Sequence, residues 1–158
     1  MNNVTAISIV KQTLKSYLID PLILAGGNRN GIDYIFSDEP SFAYKYPKID
    51  ITKSKQPKPI ILDIGSSYTT RNYLILDVNF YTKNGFKISV DGLDYVNAQL
   101  VEYYLDSQIE PTLKAQFTTM FDQGVKDYKS LGTSTVGYNS DTQVYFGTLT
   151  IMVEFFRR

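Results

Sequence analysis

The stretch from Asn72 to Asp106, NYLILDVNFYTKNGFKISVDGLDYVNAQLVEYYLD, decides the fold of this protein. Side chains alternate between the two faces of a β-strand. The pattern therefore predicts a strand over 71–82, with one apolar face formed by Leu74, Leu76, Val78 and Phe80. The opposite face is mixed in character and is formed by Tyr73, Ile75, Asp77, Asn79 and Tyr81.

The second half of this stretch predicts a turn, a short strand and a helix. Lys83-Asn84-Gly85 favours a hairpin turn, because asparagine and glycine tolerate positive φ. Apolar residues then recur at helical spacing up to Asp106, which predicts an amphipathic helix after Asp91. Asp91 is the expected N-cap, since its carboxylate can accept hydrogen bonds from the first turn.

The flanking sequence extends this plan. A helix is predicted over 4–19, ended by Pro21. Further strands are predicted at 33–36, 44–52, 60–64 and 142–156. The last strand is long enough for one end to project and pair with a neighbouring chain. Pro111 is expected to interrupt the central helix, and 123–142 is expected to form a long loop.

These elements predict one α+β domain over residues 1–158. We expect one mainly antiparallel β-sheet, with the N-terminal helix and the central helix packed on one of its faces. At 158 residues the chain is long enough to bury a substantial core.

The composition excludes several kinds of site. The chain has no His and no Cys. Catalysis by Ser–His–Asp or Cys–His groups is therefore excluded, as are disulfides and zinc sites built on His or Cys. Gly26-Gly27 is not followed by the GK[ST] of a phosphate-binding loop.

Net charge and hydropathy narrow the functional class of the protein further. Lysine plus arginine equals aspartate plus glutamate, so the formal net charge is zero. Free proteins that bind nucleic acid are usually basic, so zero net charge is unusual for that class. It also gives little electrostatic repulsion between copies of the chain. No apolar run reaches the ~18 residues of a membrane-spanning helix. The N-terminus lacks the pattern of a secretion signal, so we expect a cytoplasmic origin.

The chain contains 13 tyrosines. Tyrosine is favoured both on β-sheets and at protein interfaces. A tyrosine-rich sheet and an interface role explain this bias equally well.

One enzymatic alternative is a carboxylate metal site. Asp50, Asp63 and Asp77 lie on predicted strands, and Lys83 follows Asp77 by six positions. A Mg²⁺-dependent nuclease of the restriction-enzyme type needs an acid followed two positions later by lysine. Asp77 is followed at that position by Asn79, so the pattern fails where it should be strictest. Solvated strand residues or interface contacts explain these carboxylates better.

A second alternative is a nucleic-acid-binding module. The segment KSKQPKP, residues 53–59, carries Lys53, Lys55 and Lys58 and is predicted to be a protruding loop. These lysines could contact DNA. A solvent-exposed hairpin tip explains them more simply, and such a tip could also meet an acidic partner surface.

The order of the elements resembles that of the tail terminator, or tail completion, proteins of long-tailed bacteriophages and related archaeal viruses. The resemblance is carried by YPKIDI at 46–51, LILDVNFYTKNG at 74–85, DGLDYVNAQLVEYYL at 91–105 and VYFGTLTIMVEFF at 144–156. It spans most of the chain and consists of patterns of residue type. The segment 123–142 departs from the compact members of that family.

The resemblance implies a structural virion protein without enzymatic activity, cofactor or metal. It implies a homo-oligomeric ring, typically a hexamer, at the head-proximal end of the tail. That ring would stop polymerisation of the tail tube protein and dock the tail to a neck or head-completion protein. Genomic DNA would pass through the lumen without sequence-specific binding, and no membrane would be involved. The protein would be made in the host cytoplasm, and a different neck or head-completion role is the nearest alternative.

Under this hypothesis the mixed face of the 71–82 strand contacts other subunits or lines the channel, and the segments 53–59 and 123–142 are candidates for contacts between rings. The predicted interface residues are Lys53, Lys55, Lys58, Tyr73, Asp77, Asn79, Tyr81, Tyr138, Phe155 and Phe156.

Overall fold

The computed structural model describes residues 3–37, 46–54 and 72–156. The expected strand at 60–64 lies outside these ranges, as do Lys55, Lys58 and Asp63. The chain begins with helix α1, Asn3–Tyr17. Ile7, Val10 and Leu14 of its predicted apolar face are buried, whereas Tyr17 is 50% exposed. A short helix α2, Pro21–Leu24, follows, and the carboxylate of Asp20 caps it by accepting from the Leu22 amide at 2.9 Å.

Six strands of the described part of the chain form one sheet in the order β1-β2-β3-β8-β6, with β7 also paired to β8. All pairs are antiparallel except β1 with β2, which are parallel. The strands are β1 Ile35–Ser37, β2 Lys48–Lys53, β3 Asn72–Lys83, β6 Val125–Thr133, β7 Gly137–Asn139 and β8 Val144–Phe155. Strands β3 and β8 are the longest, at twelve residues each, and pair at the centre of the sheet.

A hairpin and a run of helices connect β3 to β6. The hairpin comprises β4, Lys87–Val90, and β5, Leu93–Val96. Helix α3, Asn97–Tyr103, passes into a π-helical segment, Tyr104–Ile109. Helices α4, Glu110–Ala115, and α5, Phe117–Asp122, complete the run.

The helices pack on one face of the sheet, which confirms the predicted α+β architecture. Leu76, Val78 and Phe80 of β3 are completely buried there with residues from α1 and α3. The ring of Phe80 stacks on Tyr104 with centroids 5.0 Å apart. The Tyr104 hydroxyl donates to the Ile19 carbonyl at 2.6 Å, which ties the π-helical segment to the end of α1. Burial raises the pKa of Tyr104, so the hydroxyl stays a donor.

Two predictions about the central helix are wrong. Asp91 is not its N-cap: it has a φ of 50° in the β4–β5 turn, and α3 begins only at Asn97. Residues 93–96 pair with β4 instead, because Val90 and Leu93 flank the tight Asp91-Gly92 turn. Pro111 does not interrupt the helix either. It is the second residue of α4, which follows the π-helical segment without a break.

The predictions for the C-terminal third also need correction. The segment 123–142 is not a long loop but contains β6 and β7. The alternation of β6 is hidden by register shifts at Val125/Asp127 and Ser130/Gly132, each of which moves the following side chains out of phase. The last strand does not project from the sheet, because β8 pairs with β3 from Val144 to Phe155.

Candidate interaction surfaces

The mixed side chains of β3 lie on the sheet face opposite the helices, which we call the outer face. The registers place Asp50 beside Asn79 and Thr52 beside Asp77 on β2 and β3. On the other side of β3, Asp77 faces Thr150 and Asn79 faces Thr148 of β8. Polar residues of three adjacent strands therefore meet at the centre of the outer face.

These polar groups are joined by hydrogen bonds. The Thr148 hydroxyl donates to the Asn79 side-chain oxygen at 2.6 Å. The Asn79 amide nitrogen donates to the Asp50 carbonyl at 3.1 Å and to the Thr52 hydroxyl at 3.3 Å. Asp77, only 9% exposed, accepts from the Thr150 hydroxyl at 2.9 Å. Asp77 and Asn79 thus hold β2, β3 and β8 in register within one copy, a role that half-buried polar pairs commonly fill.

One end of the outer face is aromatic and cationic. Lys48 is buried, and its Nζ lies 4.7 Å from the ring centre of Tyr46 and 5.3 Å from that of Tyr81. Burial lowers the pKa of Lys48 to about 8, an effect that the Asp50 carboxylate partly offsets. Burial also raises the pKa of both tyrosines. The tyrosine rings stabilise the lysine cation, so this cluster joins β2 to β3.

Among the described residues, which do not include Asp63, the outer face lacks the geometry expected of the nuclease alternative. Asp50 and Asp77 are diagonal neighbours on adjacent strands. Lys83 lies six residues along β3 from Asp77, which is roughly 20 Å. Its amino group donates to the Thr142 carbonyl at 3.1 Å. A lysine at that distance cannot reach a phosphate bound at Asp77. Within the described ranges, no group of three acidic side chains is placed to hold a metal ion.

The remaining predicted interface residues fall into buried and exposed sets. Phe155 is 3% exposed and belongs to the core of its own chain, whereas the adjacent Phe156 is 44% exposed. Tyr138 on β7 is also 44% exposed, and its ring lies 4.4 Å from that of Tyr145. Tyr73 is half-buried at the start of β3 and faces Glu154. Lys53 is exposed at the end of β2.

Exposed aromatic residues lie at both ends of the β6–β7 side of the sheet, which we call the aromatic side: Phe121 and Phe156 near the start of β6, and Tyr138 on β7. Phe156 meets Phe121 edge to face with ring centres 5.0 Å apart, and Phe117 lies 6.0 Å from Phe121. Phe121 is 43% exposed. Strand β6 runs beside this cluster, and none of the other described strands pairs with its far edge. An open strand edge beside exposed rings is typical of a protein interface.

A groove that sequence reasoning missed lies between the β4–β5 hairpin and α3. It has a volume of about 390 Å³ and is lined by Leu93, Asp94, Tyr95, Gln99, Glu102, Tyr103, Asp106 and Ser107. The signal in the sequence was that residues 91–110 include five acidic residues and no lysine or arginine.

A buried ion pair also escaped the sequence analysis. Arg29 donates from Nε to Asp20 at 2.8 Å and from Nη2 to the same carboxylate at 3.0 Å. The Nη2 group donates to the Pro47 carbonyl as well, and the guanidinium lies 4.8 Å from the ring centre of Tyr34. This arginine joins the loop after α2 to the start of β2.

None of the described helices combines the length and the apolar character needed to span a membrane. Comparison of the sequence with protein-family models and with curated proteins finds no match.

Proposed function

We propose that this protein is a structural virion component that forms a ring at the head-proximal end of a viral tail tube. In this role it stops tube polymerisation and provides the surface on which the head or neck docks. The proposal rests on the resemblance of the element order and on the physical properties of the described surfaces.

The observation that carries the proposal is the aromatic side of the sheet. Phe121 and Phe156 are exposed there beside the open edge of β6, and Tyr138 is exposed at the far end of the same side, on β7. A patch of this kind on one side of a molecule favours contact with a different patch on the next copy. Such heterologous contacts generate a ring when the rotation between copies closes. Zero net charge allows copies to approach without long-range repulsion.

The internal bonding of the outer face is consistent with a rigid ring subunit. Its polar groups bond mainly to one another across β2, β3 and β8. These strands therefore form a stiff plate, while the exposed groups at its sides remain available for contacts with other chains.

The test is to mix the full-length protein with the tail tube protein encoded in the same genome. We expect tubes to stop growing and one tube end to carry a ring, visible by electron microscopy. Mass measurement of the capped ends should give a small multiple, about six, of the 18.0 kDa chain. Tubes that grow to the same length with and without the protein, and that show no added density at either end, would refute the proposal. Binding to head or portal components alone would favour the head-completion alternative.

A further inference from the structure

The acidic groove beside α3 supports the assignment of a binding site, whereas the outer face does not. Its floor contains Tyr95 and Tyr103, whose ring centres are 4.1 Å apart. The Gln108 side chain donates to the Tyr103 hydroxyl at 2.8 Å and so orients this ring. Leu93 is 61% exposed at the rim. Paired, partly exposed aromatic rings of this kind form a platform for extended proline-containing segments.

The carboxylates on the groove wall are not neutralised by the described chain. Glu102 and Asp106 lie one helical turn apart and are both exposed. Like charges at this spacing repel each other. No ammonium or guanidinium group of the described residues forms an ion pair with either of them, whereas Asp94 is bridged by Lys87 at 3.7 Å and accepts from Ser89. The groove therefore presents uncompensated negative charge beside an aromatic platform.

The same chain contains a segment with the complementary chemistry. Residues 53–59, KSKQPKP, have three lysines, two prolines and no acidic residue. Prolines suit the tyrosine platform, and lysines suit the carboxylates, with their aliphatic stems packed along the rings.

Lys53, the first residue of this segment, lies away from the groove of its own chain. Lys53 pairs with Leu76 near the start of β3. Helix α3, which lines the groove, begins at Asn97. The Asn97 side chain accepts from the Gly85 amide at 2.8 Å, just beyond the other end of β3. Leu76 and Lys83 are seven residues apart along β3, which is roughly 23 Å. Opposite charges at opposite ends of a neutral molecule favour head-to-tail contact between copies.

We propose that the groove lined by Tyr95, Tyr103, Glu102 and Asp106 binds the lysine–proline segment 53–59 of a second copy of this chain. This inference rests on the proposed function, because it supplies the contact by which neighbouring copies in the ring, or in stacked rings, recognise each other.

The test is a charge exchange combined with cross-linking. ¹⁵N-labelled and unlabelled full-length protein are mixed, alone and with tail tube protein, and treated with a carbodiimide that joins lysines directly to carboxylates. We expect cross-links from residues 53–58 of one copy to Glu102 or Asp106 of the other. The groove variant Glu102→Lys/Asp106→Lys and the segment variant Lys53→Glu/Lys58→Glu should each weaken association between copies roughly tenfold, since each reverses two charge pairs. A chain carrying all four substitutions should recover it.

The matched control is Asp33→Lys, compared with Glu102→Lys alone; each reverses one exposed carboxylate, and Asp33 lies outside both the groove and the aromatic side. Asp33→Lys should leave association unchanged. Circular dichroism of each variant should show an intact fold, because all substituted carboxylates are exposed. The assignment of the groove would be overturned if the expected cross-links between copies were absent. It would also be overturned if the chain carrying all four substitutions failed to recover association. So would cross-links from the groove to lysines of the tube protein in place of residues 53–58.

The two proposals fail separately. If the protein still caps tube ends while the groove cross-links are absent, only the groove assignment falls. If the cross-links form while the protein stays away from tube ends, the groove assignment stands and the tail function falls.

Discussion

Replacing Arg29 with alanine tests whether the loop after α2 depends on a buried ion pair. The Asp20 and Arg29 side chains are each 7% exposed and are joined by a bond of 2.8 Å. Removing the guanidinium leaves the Asp20 carboxylate buried, with only the Leu22 amide among its bonds described above. An uncompensated buried charge of this kind costs about 3–5 kcal/mol of unfolding free energy. For a domain of this size the corresponding fall in melting temperature is about 6–20 °C.

An exposed pair nearby provides the control. Lys15 lies 3.1 Å from Asp33, and their side chains are 33% and 59% exposed. Solvent screens this pair, so Lys15→Ala should cost less than about 1 kcal/mol. The double variant Asp20→Asn/Arg29→Met should be more stable than Arg29→Ala, because no unpaired charge then remains buried.

Urea unfolding followed by far-ultraviolet circular dichroism gives the free energies for all of these variants. Because the Asp20–Arg29 pair is buried and the Lys15–Asp33 pair is exposed, we expect Arg29→Ala to lose clearly more unfolding free energy than Lys15→Ala. Equal losses for the two, or a loss below about 1 kcal/mol for Arg29→Ala, would show that the Asp20–Arg29 pair is as well solvated as a surface pair.

Two other predictions concern the outer face and the aromatic side. Because burial lowers the pKa of Lys48 to about 8, the unfolded chain binds more protons than the folded chain between pH 8 and pH 10, so stability should rise across that window. Comparing wild type with Lys48→Met by urea unfolding at both pH values should show a rise of about 1 kcal/mol, after allowance for solvent screening, that the variant lacks; an unchanged slope in the variant would contradict this. For the neighbouring phenylalanines, Phe155→Ala should cost about 3–5 kcal/mol, whereas Phe156→Ala should leave the monomer within about 1 kcal/mol of wild type but reduce ring formation on tube ends. Normal ring formation by Phe156→Ala would remove Phe156 from the proposed interface.

The elements that the sequence predicts well are those whose side chains follow one uninterrupted period. β3 has an apolar residue at every second position from Leu74 to Phe80, as β8 does from Leu149 to Phe155, and α1 keeps a helical spacing of apolar residues. Local periodicity reports directly which face of such an element is buried. The α+β class and the placement of the helices on one face follow from these three elements together.

The elements that the sequence predicts poorly are those shaped by contacts distant in the chain. The bulges of β6 put its alternation out of phase, and only pairing with β8 shows that it is a strand. Asp91 has the right chemistry for a helix cap, but pairing of β5 with β4 takes up the residues that would have formed the first turn. A local preference worth about 1 kcal/mol is readily overruled by the hydrogen bonds and burial of a hairpin.

For the candidate surfaces, the sequence by itself determined the kinds of chemistry available and the segregation of charge between 53–59 and 91–110. Only the tertiary structure decided which of two adjacent phenylalanines is buried, that Asp77 bonds within its own sheet, and that Tyr95 and Tyr103 meet beside two carboxylates. The reason is that composition and spacing are properties of the chain. Burial and proximity arise instead from strand order and helix packing, which bring together residues far apart in sequence.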